Sequence, residues 1–177
     1  MTNAQALAQN KLFIANLSRF VEQTKASCDE IVRLVLFDFS RALVMRTPVD
    51  TGRLRANWQF GTAQIPTGEI DATDPASGLG GPTEDRLIAA AKTAQAGTIH
   101  YIVNNLPYAS VIEYGQYPNP PKGGGRKDKT GAKVTLSAGG YSTQAPQGMV
   151  RITVIEYKQF LEQAVQKVKS AGFSWRR

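Results

Sequence analysis

The sequence predicts a mixed α+β chain, and three observations predict it. Apolar residues recur at helical spacing up to Arg46, short β-branched and aromatic segments occupy the middle, and a second helical pattern precedes the C-terminus. At 177 residues a single domain, 1–177, is the default. A chain of this size can bury roughly 70% of its unfolded surface and so needs no covalent staple.

The first helix is expected from about Asn3 to Arg46. Leu17, Phe20, Val21, Thr24, Cys28, Ile31, Val32, Val35, Phe39, Ala42 and Leu43 fall three or four apart, the spacing of one helical face. Arg19, Glu22, Lys25, Asp29, Arg33 and Arg41 lie mostly elsewhere, and no Gly or Pro interrupts the run before Pro48. Such a helix far exceeds the usual length of about 11–12 residues. Either it breaks near Lys25–Ser27 or its N-terminal part reaches toward a partner.

Pro48 ends the helix and drives Thr47 out of the α region. Asp50-Thr51-Gly52 is turn chemistry, because Asp and Thr can bond nearby amides and Gly tolerates positive φ. Arg53 and Arg55 then alternate with Leu54 and Ala56, which sets both cations on one face if the segment is extended. Two arginines on a fixed turn suit carboxylate or phosphate partners. They also fit a solvated turn with internal salt bridges.

Trp58 to about Ile65 reads as a strand, and Pro66 to Gly81 as a loop rich in Gly, Pro, Asp, Ser and Thr. Thr83, Glu84 and Asp85 open a short helix, Leu87 to Ala96, closed by Gly97. Thr98 to Asn104 is β-branched and aromatic, hence a strand. Asn105-Leu106-Pro107 turns, and Tyr108 to Tyr114 forms a short helix ended by Gly115. Gly148 to Ser170 carries the second long helical pattern, with Val150, Val154, Tyr157, Leu161, Val165 and Val168 as its buried stripe. Trp175, beside Arg176 and Arg177, suits either a docking tail or a frayed end.

Between them, 116–145 has another character. Pro118, Pro120 and Pro121 precede Gly123-Gly124-Gly125, and Lys122, Arg126, Lys127, Lys129 and Lys133 face only Asp128. Val134 to Leu136 fits a short strand of a projecting basic hairpin. Five cations on such a loop can neutralise phosphates and gain affinity by counterion release. A solvated hairpin is the plain alternative.

The formal charge of +7 favours anionic partners such as nucleic acid or an acidic protein face. Cys28 is the only cysteine, so no internal disulfide can form, which is compatible with a reducing cytosol. No basic region followed by an apolar run marks a signal peptide, and no apolar run is long enough for a bilayer, so no membrane partner is expected. His100 is the only histidine and lies in a strand with no second imidazole or cysteine pair, so it reads as structural. The Gly123–Gly125 run lacks the Lys-Ser/Thr of a phosphate loop. No enzyme activity, cofactor or metal is expected.

Three blocks resemble one family. They are Thr47-Pro48-Val49-Asp50-Thr51-Gly52-Arg53-Leu54-Arg55-Ala56-Asn57-Trp58, Asn104-Asn105-Leu106-Pro107-Tyr108-Ala109-Ser110-Val111-Ile112-Glu113-Tyr114-Gly115, and Ala145-Pro146-Gln147-Gly148-Met149-Val150-Arg151. Together, and in this order, they look like the HK97-type neck and tail-completion (head–tail joining) proteins of tailed phages. The resemblance implies a structural virion protein, assembled in the host bacterial cytoplasm. It implies one long helix and a C-terminal helix packed on a small antiparallel sheet. It also implies a homo-oligomeric ring, six-fold if it matches a tail tube, against neck, tail-terminator or tail-tube proteins and packaged DNA in the channel. Arg53, Arg55, Trp58, Tyr108, Glu113 and Tyr114 are the interaction candidates within the blocks. The stretch 116–145 is an insertion relative to the usual pattern, in which the second block runs almost directly into the third. The alternative function is a non-specific DNA-binding module acting through Lys122, Arg126, Lys127, Lys129 and Lys133.

If that loop binds DNA, affinity should fall with salt at a log–log slope of about −3 to −4. A slope near zero in a fluorescence-anisotropy titration would exclude the interaction.

Overall fold

The computed structural model describes residues 3–75, 81–115, 141–142 and 144–171, with side chains from residue 9 onward. The basic stretch Lys122–Lys133, the expected strand at Val134–Leu136 and the tail with Trp175 lie outside the described residues.

Helix α1 spans Asn3–Arg46 without a break, so of the two alternatives for its length the structure takes the continuous helix. It stops as Pro48 requires. Thr47 closes the last turn, its N–H donating to the Val44 carbonyl (3.3 Å) and its hydroxyl to the Leu43 carbonyl (2.7 Å). Burial along α1 is uneven. Residues 9–23 are all exposed, whereas Ser27, Val35, Ser40, Leu43 and Val44 are buried. The other described elements therefore pack on the C-terminal half of α1.

That half carries the C-terminal elements α5 (Val150–Ile155) and α6 (Tyr157–Ser170). Arg46 meets Glu156 at 2.6 Å, Phe39 meets Phe160 edge-on at 6.4 Å, and Lys167 lies 3.6 Å from Asp38. These pairs run in opposite senses along the two helices, so α6 is antiparallel to α1. The sequence pattern reads as one helix from 148 to 170; the structure divides it at Glu156. The preceding residues Ile152 to Ile155 are all β-branched, which weakens helix continuity. The Glu156 carboxylate is held by Arg46, and the turn into Glu156 has a long N–H···O of 3.4 Å to Ile152.

The sheet has two described strands, β1 (Trp58–Thr62) and β2 (His100–Asn104), antiparallel with Trp58 opposite Asn104 and Thr62 opposite His100. Trp58, Phe60 and Ile102 face the core with Leu43, Val44, Leu87, Leu106 and Met149. Two strands alone are marginal in water, so this burial is what sustains the pair. The loop after β1 folds back over the other face. Gln59 Nε2 donates to the Gly68 carbonyl, and Asn105 Nδ2 to the carbonyls of Pro66 and Gly68. A Cβ at Gly61 would lie 2.3 Å from the Gln64 carbonyl oxygen, so glycine lets the loop lie flat on the strand.

Helix α3 spans Pro82–Ala91 rather than Leu87 to Ala96. It opens where Thr83, Glu84 and Asp85 mark a helix start: Pro82 suits the first helical position, and Asp74 in the preceding loop caps it by accepting from the Thr83 N–H at 3.1 Å. It ends earlier because the chain tightens into i→i+3 turns at Thr93 and Ala94. Side chains of α1 then take up the turn: Arg33 Nε donates to the Ala94 carbonyl, and Asp29 accepts from the Ala96 N–H.

The turn between α1 and β1 is a short helix, α2 (Arg53–Ala56), where the sequence suggests an extended segment. Positions two apart lie on opposite sides of a helix. Arg53 accordingly points to solvent and pairs with Glu69 (2.9 Å), while Arg55 is 2% exposed and faces the buried Asp74 at 3.6 Å. The two arginines do not share a face.

Gly52 makes this turn possible. Its φ is +82°, and a Cβ there would fall 2.3 Å from the Asp74 backbone. Gly52→Ala is expected to cost about 1–3 kcal/mol in urea unfolding, through overpacking and an unfavourable φ. An unchanged midpoint would show that the turn is not tightly packed.

Candidate functional site

The three blocks recognised in the sequence meet at one end of the molecule. Thr47 and Trp58, the ends of the first block, are joined directly: the indole N–H donates to the Thr47 hydroxyl at 2.7 Å in the core. Asn57 is fully buried and pins the returning loop, accepting from the Ile70 N–H and donating to the carbonyls of Ile70 and Arg53. The second block attaches through Asn104, whose Nδ2 donates to the Leu54 carbonyl at 2.8 Å. The segment leading into the third block attaches through Gln144, which accepts from the Val49 N–H and donates to the Val49 carbonyl.

The central link lies between the second and third blocks. Helix α4 (Ala109–Tyr114) presents Glu113, and the Glu113 carboxylate caps α5. It accepts from the backbone N–H groups of Met149 (2.6 Å), Val150 (2.8 Å) and Arg151 (3.0 Å), and from Arg151 Nε (3.2 Å). This satisfies the open donors of a helix start with an acid placed favourably for the helix dipole. Gly148, at φ +86°, permits the approach, since a Cβ would lie 2.6 Å from the Glu113 carbonyl oxygen. Burial pushes the Glu113 carboxyl up, but the backbone N–H groups and the Arg151 side chain outweigh it and hold it below the usual carboxylate range.

Around this link lies a shallow cleft of about 390 Å³, bordered by Ile102, Asn104, Ala109, Tyr114, Met149 and Val150. Tyr114 and Tyr141 flank Arg151, whose guanidinium carbon sits 5.3 Å and 5.8 Å from the two ring centroids. Arg151 also donates to the Tyr141 hydroxyl (2.9 Å) and to the Glu113 carbonyl (2.6 Å). Tyr114 and Tyr141 stand on either side of 116–140 in sequence, and Arg151 joins the two.

The interaction candidates fall into two groups. Arg53, Tyr108 and Tyr114 reach the surface. Arg55, Trp58 and Glu113 are buried and engaged within the chain. Lys122, Arg126, Lys127, Lys129 and Lys133 lie outside the described residues. Sequence reading assigned no contact to Asp74, Thr47 or Gln144; Asp74 and Thr47 join segments nine and eleven residues apart, and Gln144 reaches Val49, 95 residues away. Asp74 in a loop of turn formers gave no signal; its cap on α3 exists only in three dimensions.

Among the described residues no group of three His, Cys, Asp or Glu could hold a metal. His100 stacks on Phe60 at 5.7 Å and contacts the Thr62 hydroxyl and the Gln95 carbonyl. Among the described residues no helix is long and apolar enough to cross a membrane.

Residues 11–115 match the model of a family described as "Bacteriophage HK97-gp10, putative tail-component". The chain belongs to that family. Membership makes it a bacteriophage tail component, working among other phage tail proteins in the virion. The match runs from the exposed part of α1 to Gly115, and so includes the first two blocks. The third block lies beyond it but is bound to the second by Glu113. No curated protein and no solved structure matches the chain.

Because the folded chain favours ionised Glu113, its contribution is complete above the ordinary Glu value of about 4.3 and is lost as pH falls through the lowered folded value. Glu113→Gln is expected to cost about 1–3 kcal/mol at neutral pH, from weakened cap bonds. The stability gap between wild type and variant, measured by urea unfolding, should narrow below about pH 4.3. A gap independent of pH would show that the charge of Glu113 contributes nothing.

Proposed function

We propose that the protein is a structural subunit of a homo-oligomeric ring at the head–tail junction or tail end, where it completes tail assembly or joins head to tail. The family match over residues 11–115 carries this reading. The exposed, apolar N-terminal half of α1 supports it, because a subunit that works by association needs unsatisfied surface. The mechanism is assembly rather than turnover. Closed cyclic symmetry suits a junction, and six copies would match a six-fold tail tube.

In this reading Arg53, Tyr108 and Tyr114 contact neighbouring neck, tail-terminator or tail-tube proteins. Arg55, Trp58 and Glu113 hold the backbone beneath them. The basic stretch Lys122, Arg126, Lys127, Lys129 and Lys133 touches packaged DNA or an acidic neighbour. Non-specific DNA binding as the main function is the second reading, favoured by those five cations alone.

Electron microscopy of particles from a phage lacking this gene tests the proposal. Filled heads separate from tails, or tails of abnormal length or unable to join, are the expected outcome. Normal infectious virions would overturn it and leave DNA binding as the reading to pursue.

A further inference from the structure

Helix α6 leads toward the stretch of α1 that is exposed among the described residues. The two helices run antiparallel, with Glu156 at Arg46 and Phe160 at Phe39. Both rise about 1.5 Å per residue, so each step along α6 retraces about one residue of α1. Val168, near the end of α6, comes level with about Ile31 to Leu34 and is only 2% exposed. The chain therefore leaves α6 still packed, and headed for the N-terminal half of α1.

The face of α1 that meets α6 continues past this point. Counting back from Phe39 at helical spacing gives Val35, Val32, Cys28, Thr24, Val21 and Leu17. Val35 is buried, and Cys28 and Thr24 are half-buried. Val21 and Leu17 are 56% and 50% exposed. Val21 stands in line with Phe39, about five turns away.

The residues that follow α6 match this face. Positions 172–177 read Gly-Phe-Ser-Trp-Arg-Arg, and a glycine after the last turn suits a helix stop. Phe173 and Trp175 are two apart, so an extended chain sets both rings on one side. An extended residue advances about 3.3 Å and a helical one about 1.5 Å, so each residue after Ala171 passes about two residues of α1. Phe173 then falls between Cys28 and Thr24, and Trp175 at Val21.

We infer that residues 172–177 run back along α1 as a strap, with the Phe173 ring between Cys28 and Thr24 and the Trp175 indole over Val21. The gain is burial of two aromatic rings against an exposed apolar stripe. Charge does not drive the contact: Arg176 and Arg177 come beside Glu22, but Arg19 and Lys25 flank it. Leu12, Phe13 and Ile14 lie beyond the strap, so the tip of α1 keeps its exposed apolar surface. The strap goes beyond the ring reading and does not rest on it.

Tryptophan emission tests the contact. Trp58 and Trp175 are the only tryptophans, and Trp58 is 3% exposed, so the difference in emission between wild type and Trp175→Phe is the signal of Trp175. That signal should be blue-shifted and shielded from acrylamide. Val21→Glu, at an exposed position, should shift it to the red and remove the shielding. A crosslink tests the path. With Cys28→Ser removing the native thiol, Leu17→Cys and Arg177→Cys should oxidise to a disulfide within one chain. Arg19→Cys, at about the same level on the opposite face, should not pair with Arg177→Cys. Trp175 emission like that of free tryptophan in water, or unmoved by Val21→Glu, would overturn the strap. So would equal crosslinking from Leu17→Cys and Arg19→Cys, or disulfides at dimer mass, which set the tail on a second copy. All of these are read on the purified chain, so they stand apart from the virion test.

Discussion

The organising constraint is a helix longer than the body that packs on it. Nothing in the first 47 residues can bend or stop α1, and Pro48 then stops it abruptly. The described sheet and the other helices gather on its final turns, where Leu43 and Val44 are almost wholly buried. They cannot reach its beginning. Two consequences follow from this one mismatch: the core is concentrated at one end of the molecule, and a strip of apolar side chains is left in water at the other.

At the packed end, the chain is held by polar side chains as much as by apolar burial. Glu113 caps α5, Asp74 caps α3, Thr47 anchors the indole of Trp58, and Asn57 fastens the loop that returns over β1. Each satisfies backbone or ring N–H groups that irregular segments would otherwise bury without partners. The cost of leaving any one of them unpaired explains why acids and amides occupy positions that are inaccessible to solvent. It also separates two roles within the family blocks. Some of their residues form the scaffold, and others, such as Tyr114, stand on the surface that the scaffold holds in place.

Arg151 extends this polar packing to the surface. It joins Tyr114 and Tyr141, which stand on either side of 116–140 in sequence, to the Glu113–α5 link, and Arg46 with Glu156 joins the α5–α6 turn to α1.

Local physics was enough to read α1, both strands and the end of α4. Helical spacing, β-branched runs, Pro48 and the left-handed Gly115 act through neighbouring residues and are visible in any stretch of the chain. The blocks themselves were legible as a family pattern, and residues 11–115 match that family. The opposed faces of Arg53 and Arg55 were not legible, because whether a four-residue segment coils or extends depends on Asp74 packing against Gly52. Nor were the early end of α3 and the break at Glu156, where side chains of α1 far along the chain take up the turn after Ala94 and the Glu156 carboxylate. The sequence determined which segments are helix or strand and where they must stop. Tertiary structure alone decided which polar side chains are buried and which apolar ones are not, because both depend on groups that only folding brings within a few ångströms.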